Sequence, residues 1–169
     1  MSPDGRHVYV TNAGSDSVSV IDTETNTTIG SPITVDDDPV DPSGPDGVAV
    51  SPDARHVYVT NFDSGYVAVI ETETNTIVEE ICFGGAPDGV AVSPDGRHVY
   101  VTNYASGDVT VIDTKTNMIV GTIAVGGAPN GVTVSPDGRH VYVTNFSSGT
   151  VSVINTKTNT IVGTINVGG

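Results

Sequence analysis

Ser93-Pro94-Asp95-Gly96-Arg97-His98-Val99-Tyr100-Val101-Thr102-Asn103 recurs almost unchanged from Ser2, Ser51 and Ser135. The four starts lie 49, 42 and 42 residues apart, so the 169-residue chain is a tandem array. A fixed period of about 20–50 residues marks solenoids and propellers and outweighs any single-residue clue. Working outward from the quoted stretch, each period divides into four β-type runs. In the third copy these are residues 89–92 (A), 98–103 (B), 109–113 (C) and 118–125 (D). Their lengths fit short strands, turn signals separate them at regular intervals, and no stretch has helical periodicity.

The turns have recognisable chemistry. Ser-Pro-Asp-Gly between A and B sets Pro at the second turn position and Gly where φ > 0 is expected. The second copy has Ala54 in place of that Gly, at an expected cost of roughly 1 kcal/mol if the backbone is kept. Thr-x-Thr-Asn segments from Thr23, Thr72, Thr114 and Thr156 join C to D, and Asn tolerates the turn conformation. Four antiparallel strands on short turns make one meander.

Within a strand both alternating sets are apolar or neutral: Val99 and Val101 on one face, Tyr100 and Thr102 on the other. A sheet with one wet face would alternate with charge. Two covered faces favour sheets stacked around an axis, a β-propeller, over a sandwich. The composition agrees. Apolar residues are 37% of the chain with no Trp and three Phe, which suits strands packed through Val and Ile.

These residues carry a resemblance. Tyr-Val-Thr-Asn within B, Ser-Pro-Asp-Gly before it and Val-x-Val-Ile-Asp-Thr after it resemble the YVTN-repeat β-propeller family, which includes archaeal surface-layer proteins and is similar to seven-bladed lactonase-like propellers. The resemblance covers nearly the whole chain, with departures at Ala54, Glu71, Asn155 and residues 36–44. It implies an all-β propeller of four-stranded antiparallel blades, with run A innermost and D outermost. It also implies an extracellular or cell-surface location, although no signal peptide is visible in this segment.

On this reading the chain is one propeller segment: blade 1 at about 2–35, an acidic insertion at 36–44, blade 2 at about 45–84, blade 3 at about 87–126 and blade 4 at about 129–169. The chain opens at B, so blade 1 lacks its inner strand, and fifteen strands are expected where four full blades need sixteen. A fragment of a seven- or eight-bladed ring, or half of a dimeric ring, is favoured over a closed ring of four. Blades poor in aromatics fill the wide wedges of a four-bladed ring badly. Uncovered end blades should seek a partner.

The net charge of −14, from 6 Lys+Arg against 20 Asp+Glu, repels phosphate backbones, which argues against nucleic acid. No apolar run approaches a membrane span. Cys82 is the sole cysteine, read as a small apolar strand residue with no activating neighbour.

Three sets of residues are candidates for chemistry. Asp36, Asp37, Asp38 and Asp41 of the insertion could hold Ca²⁺ through hard oxygen ligands; the spacing matches no defined Ca²⁺ loop, which favours a solvated loop. Asp46, Asp88 and Asn130 precede the inner strands and should ring the mouth of an axial channel, as a cation or polar-ligand site or as caps on turn amides. His7, His56, His98 and His140 fall one per blade, too far apart for one metal, with Arg6, Arg55, Arg97 and Arg139 beside them expected to pair with the turn Asp. Asn26 and Asn145 begin glycosylation-type triplets.

Ca²⁺ is the one cofactor candidate, and no nucleophile–base set is present. The favoured function is a non-catalytic cell-surface or secreted propeller scaffold binding proteins or glycans, or self-associating through its end blades. The alternative is a lactonase-like hydrolase with a metal or carboxylate site at the channel mouth.

Overall fold

The computed structural model describes residues 1–35 and 44–168. The chain folds into four four-stranded antiparallel sheets. Blade 1 holds β1 (His7–Asn12), β2 (Ser17–Asp22), β3 (Thr27–Thr28) and β4 (Ile33–Thr34). Blade 2 holds β5 (Pro45–Val50), β6 (His56–Asn61), β7 (Tyr66–Glu71) and β8 (Thr76–Cys82). Blade 3 holds β9 (Pro87–Val92), β10 (His98–Asn103), β11 (Asp108–Asp113) and β12 (Met118–Ala124). Blade 4 holds β13 (Pro129–Val134), β14 (His140–Asn145), β15 (Thr150–Asn155) and β16 (Thr160–Asn166). The only helical element among the described residues is a 3-10 turn at Ala13–Ser15.

Among the described residues blade 1 has no inner strand: β1 pairs with β2 alone. Its fourth strand arises because the outer run is split, not because an inner strand is recovered. β3 and β4 both pair with β2, with Gly30 and Pro32 between them. Pro offers no ladder N–H and breaks the run there. Sixteen strand segments therefore occupy fifteen places. In the other blades the outer strand is continuous with one bulge, between Val69/Ile70, Val111/Ile112 and Val153/Ile154.

The turns follow from their residues. Gly5, Gly96 and Gly138 have φ near +70°, and Ala54 sits at +60° in the same place, so the second copy keeps the backbone and accepts the strain. In each of these turns the serine hydroxyl bonds the Asp carboxylate and receives the backbone N–H of the following His, as with Ser93, Asp95 and His98. Asn26, Asn75, Asn117 and Asn159 take the left-handed conformation in the C–D turns, and Thr72, Thr114 and Thr156 donate across to the A–B turn carbonyls. Ala86 and Ala128 also have positive φ, a feature of the D–A crossings that their sequence does not announce.

Blades pack face to face. Tyr58, Val67, Val69 and Ile81 of blade 2 meet Val99, Val101 and Ile112 of blade 3. Tyr100, Val109, Val111 and Ile123 of blade 3 meet Val141, Val143 and Ile154 of blade 4 in the same way. Each forward face thus carries a Tyr of the blade's second strand, and the rear faces are built on Val and Ile, with Tyr66 and Ala68 added in blade 2. Burying such aliphatic and aromatic side chains contributes about 1.5–3 kcal/mol apiece.

Candidate functional site

The inner strands carry the most specific geometry in the molecule. Along β9 the ladder to β10 skips between Val90↔Val101 and Pro87↔Asn103. At the skip the Gly89 N–H turns to the Thr102 hydroxyl (2.8 Å), and that hydroxyl donates to the Asn130 carbonyl of the next blade (2.7 Å). Thr60 repeats this, accepting from the Gly47 N–H (2.7 Å) and donating to the Asp88 carbonyl (2.5 Å). Thr11 donates to the Asp46 carbonyl (2.9 Å). A buried hydroxyl therefore joins its own inner strand to the following blade at Thr60 and Thr102, and the half-buried Thr11 makes the forward bond alone.

The glycines at these crossings are set by close approach. A Cβ on Gly47 would stand 2.4 Å from the Asp88 carbonyl oxygen, and one on Gly89 2.1 Å from that of Asn130. Nothing larger than glycine fits without moving a neighbouring backbone.

Asp46, Asp88 and Asn130 are the second residues of β5, β9 and β13. Asp46 and Asp88 come near enough for their charges to interact: burial, and then the Asp46 charge, push the Asp88 carboxyl above the ordinary carboxylate value. Asn130 behaves differently. Its Oδ1 accepts from the Gly131 N–H (2.8 Å) and the Thr144 hydroxyl (2.7 Å), so it caps its own turn. Asp36, Asp37, Asp38 and Asp41 lie outside the described residues, and among the described residues no three His, Cys, Asp or Glu side chains cluster to hold a metal.

The histidines stay one per blade at the A–B end. His7 and His56 line open notches of about 320 and 310 Å³, each shared with Arg, Thr and carboxylate side chains. Arg97 and Arg139 reach Asp95 and Asp137 at 3.8 Å, both pairs well exposed, and such pairs contribute little. The turn Asp instead receives the backbone N–H of the arginine in all four copies. Cys82 is on a strand as expected, but its side chain is exposed and not packed. Asn145 is buried and donates to Thr150 and Ser152, which withholds it from modification in the folded state.

Two features escaped the sequence reading. In the sequence the threonines read as strand residues, although a hydroxyl at one interior position of every copy signals that a polar partner awaits it. The second is Asn61. Asn12, Asn103 and Asn145 bond polar residues at the first and third positions of the following strand. Blade 2 has Tyr66 and Ala68 there, and the fully buried Asn61 amide has no partner for either its nitrogen or its oxygen.

The sequence matches the family model of the cytochrome D1 heme domain over residues 8–124 and that of the YNCE-like β-propeller over residues 91–169. No curated protein sequence matches it. Among solved structures, hydrazine synthase of Kuenenia stuttgartiensis superposes with a TM-score of 0.88 at 29% identity, over 98% of this chain and 47% of that one. A putative 6-phosphogluconolactonase from Bacteroides uniformis superposes with a TM-score of 0.82 at 19% identity, over 99% of this chain and 53% of that one, a likeness of fold alone. The chain spans about half the length of these solved relatives. By the first and longer of its family matches, the chain belongs to the cytochrome D1 heme-domain family of β-propellers.

Proposed function

We propose that this chain is a propeller scaffold of a YVTN-type cell-surface or secreted protein that works through protein or glycan contacts and assembles with further blades. One observation carries the reading. The forward face of blade 4 is open, with Tyr142 38% exposed where Tyr58 and Tyr100 are 1%, and Ile165 49% exposed where Ile81 and Ile123 are 7%. The same face is covered at every internal crossing, so its natural occupant is a rear face like that of blade 1, where Val10 is exposed. A second copy supplies that face. Mass by light scattering across protein concentrations tests this: a species near twice 17.3 kDa is expected, returning to one chain in Tyr142→Asp. A single-chain mass at every concentration would reject it.

The family name raises the question of a haem, and the described residues do not fit one. The inner strands approach so closely that Gly47 and Gly89 have no room for a methyl group. The histidines sit apart in charged rim notches.

A second reading has its own support. The Asp46–Asp88 pair, with the Asp88 carboxyl raised, has the character of a general base, as a lactonase-like hydrolase would need. Turnover of simple lactones that disappears in Asp88→Asn would establish it; no turnover would remove it. Ca²⁺ binding by the insertion is tested by calorimetry, where no heat at millimolar Ca²⁺ would end that expectation.

A further inference from the structure

The inner edge of β1 is a half-built copy of a site that the chain completes three times elsewhere. The Ser2 N–H bonds the His7 carbonyl (2.7 Å), as Ser51, Ser93 and Ser135 do with His56, His98 and His140. That bond orients His7 toward the inner side. By the alternation of an antiparallel ladder, Tyr9 and Thr11 then present their N–H and C=O groups to the same edge. In blades 2, 3 and 4 that edge is filled by β5, β9 and β13, in one register: Val92, Ala91, Val90 and Pro87 stand opposite Val99, Tyr100, Val101 and Asn103, and the other two blades match it. In blade 1 no strand among the described residues fills the edge.

The side chain that locks such a strand is already in place. The Thr11 hydroxyl donates forward to the Asp46 carbonyl, as Thr60 and Thr102 donate to theirs. Those two also accept a Gly N–H from their own inner strand; among the described residues Thr11 has no such donor.

We propose that the β1 edge binds an extended peptide of the pattern Pro-Asp/Asn-Gly-Val-x-Val, antiparallel, with its valines opposite Val8 and Val10 and its proline opposite Asn12. Affinity comes from main-chain bonds to Tyr9 and Thr11, as in strand addition at a sheet edge. Specificity comes from the glycine. Its N–H is taken by Thr11, and its bare α-carbon passes the Asp46 carbonyl, where the sibling crossings leave 2.1–2.4 Å for a Cβ. The proposal concerns a strand edge and stands apart from the face-to-face assembly proposed above.

The probe is a synthetic peptide of residues 85–92 titrated into the isotope-labelled chain and read by NMR. Binding should shift the amides of Tyr9, Val10 and Thr11 and slow hydrogen exchange at Tyr9 and Thr11 by about tenfold or more. The same peptide carrying G89A should bind at least about tenfold more weakly, as should the wild-type peptide on a folded Thr11→Val chain, each corresponding to about 1.4 kcal/mol. Three results would overturn the proposal: no shifts at millimolar peptide, equal binding of the G89A peptide, or exchange protection at Tyr9 and Thr11 that rises with protein concentration without peptide. The last would mean that β1 pairs with a second copy instead.

Discussion

Blades 3 and 4 are close copies in sequence and differ sharply in circumstance. Tyr100 and Tyr142 stand at one place in the repeat, each with its ring 6.4 Å from the histidine two residues before it. Tyr100 is sealed against blade 4, while Tyr142 faces outward. Thr102 is buried and donates to the next blade's backbone; Thr144 is exposed and turns its hydroxyl back onto Asn130 of its own blade. Local sequence fixes the strand and the register, and the neighbour fixes whether a side chain is core. Energetic weight should therefore follow blade position and not residue type.

The largest expected contrast is at the tyrosines. Tyr100→Ala should cost about 3–5 kcal/mol in urea unfolding, as large-to-small core changes do, and Tyr142→Ala in dilute protein under about 1 kcal/mol. At concentrations where a second copy covers blade 4 the gap should narrow. Equal costs in dilute solution would break the comparison.

Next come the inner-strand glycines. Gly89→Ala drives a methyl into the Asn130 carbonyl and should cost about 2–3 kcal/mol by overpacking. Gly131→Ala meets first the Thr144 hydroxyl of its own blade, 2.7 Å away, a group that can rotate aside, and should cost about 1 kcal/mol or less, near the ordinary single-substitution value.

The threonines should show a smaller difference. Thr102→Val leaves the Gly89 N–H and the Asn130 carbonyl without their partner, about 2 kcal/mol for buried groups. Thr144→Val leaves exposed groups that water can satisfy, within about 0.5 kcal/mol. Unfolding midpoints of the two variants side by side decide it.

The smallest effect is one of pH. Asp88 has a folded pKa raised by burial and by Asp46, so stability falls as pH rises from the unfolded value near 3.8 through the folded one. Asp88→Asn should remove that loss and be more stable than wild type at neutral pH. Asp95 is opposite in sign: its Ser93 hydrogen bond lowers its pKa, and its contribution, present above the unfolded value, disappears as pH falls through the folded one. Urea midpoints followed from pH 7 downward separate the two.

Much of the fold was legible because repetition multiplies weak signals. A lone Ser-Pro-Asp-Gly predicts a turn; four of them at the head of His-Val-Tyr-Val-Thr-Asn predict four blades and the missing inner strand of the first. Less legible were features made by two blades at once. The Thr–carbonyl bond needs the next blade in place before its direction is defined, whereas the skip in the ladder recurs in blade 4 without one. The orphaned Asn61 amide was readable in principle from Tyr66 and Ala68, where its siblings have hydroxyl or carboxyl partners. Asp46 and Asp88 were found as a set because they share a position, but Asn130 at the same position is occupied as a cap.

The bond from Thr11, Thr60 and Thr102 always runs from one blade to the one after it, never back. The array is in this sense a vector, with donors in blades 1 to 3, acceptors in blades 2 to 4, and the Thr144 hydroxyl turned back at its end. A unit excised or duplicated at the same phase, such as the 42 residues from Ser93 to the start of the next copy, carries one donor and one acceptor and leaves every remaining junction matched. Growth or loss by whole periods is thus nearly silent at the junctions, whereas any other length shift strands a hydroxyl against the wrong backbone. Such a chain can change its blade number by recombination without having to invent a new interface.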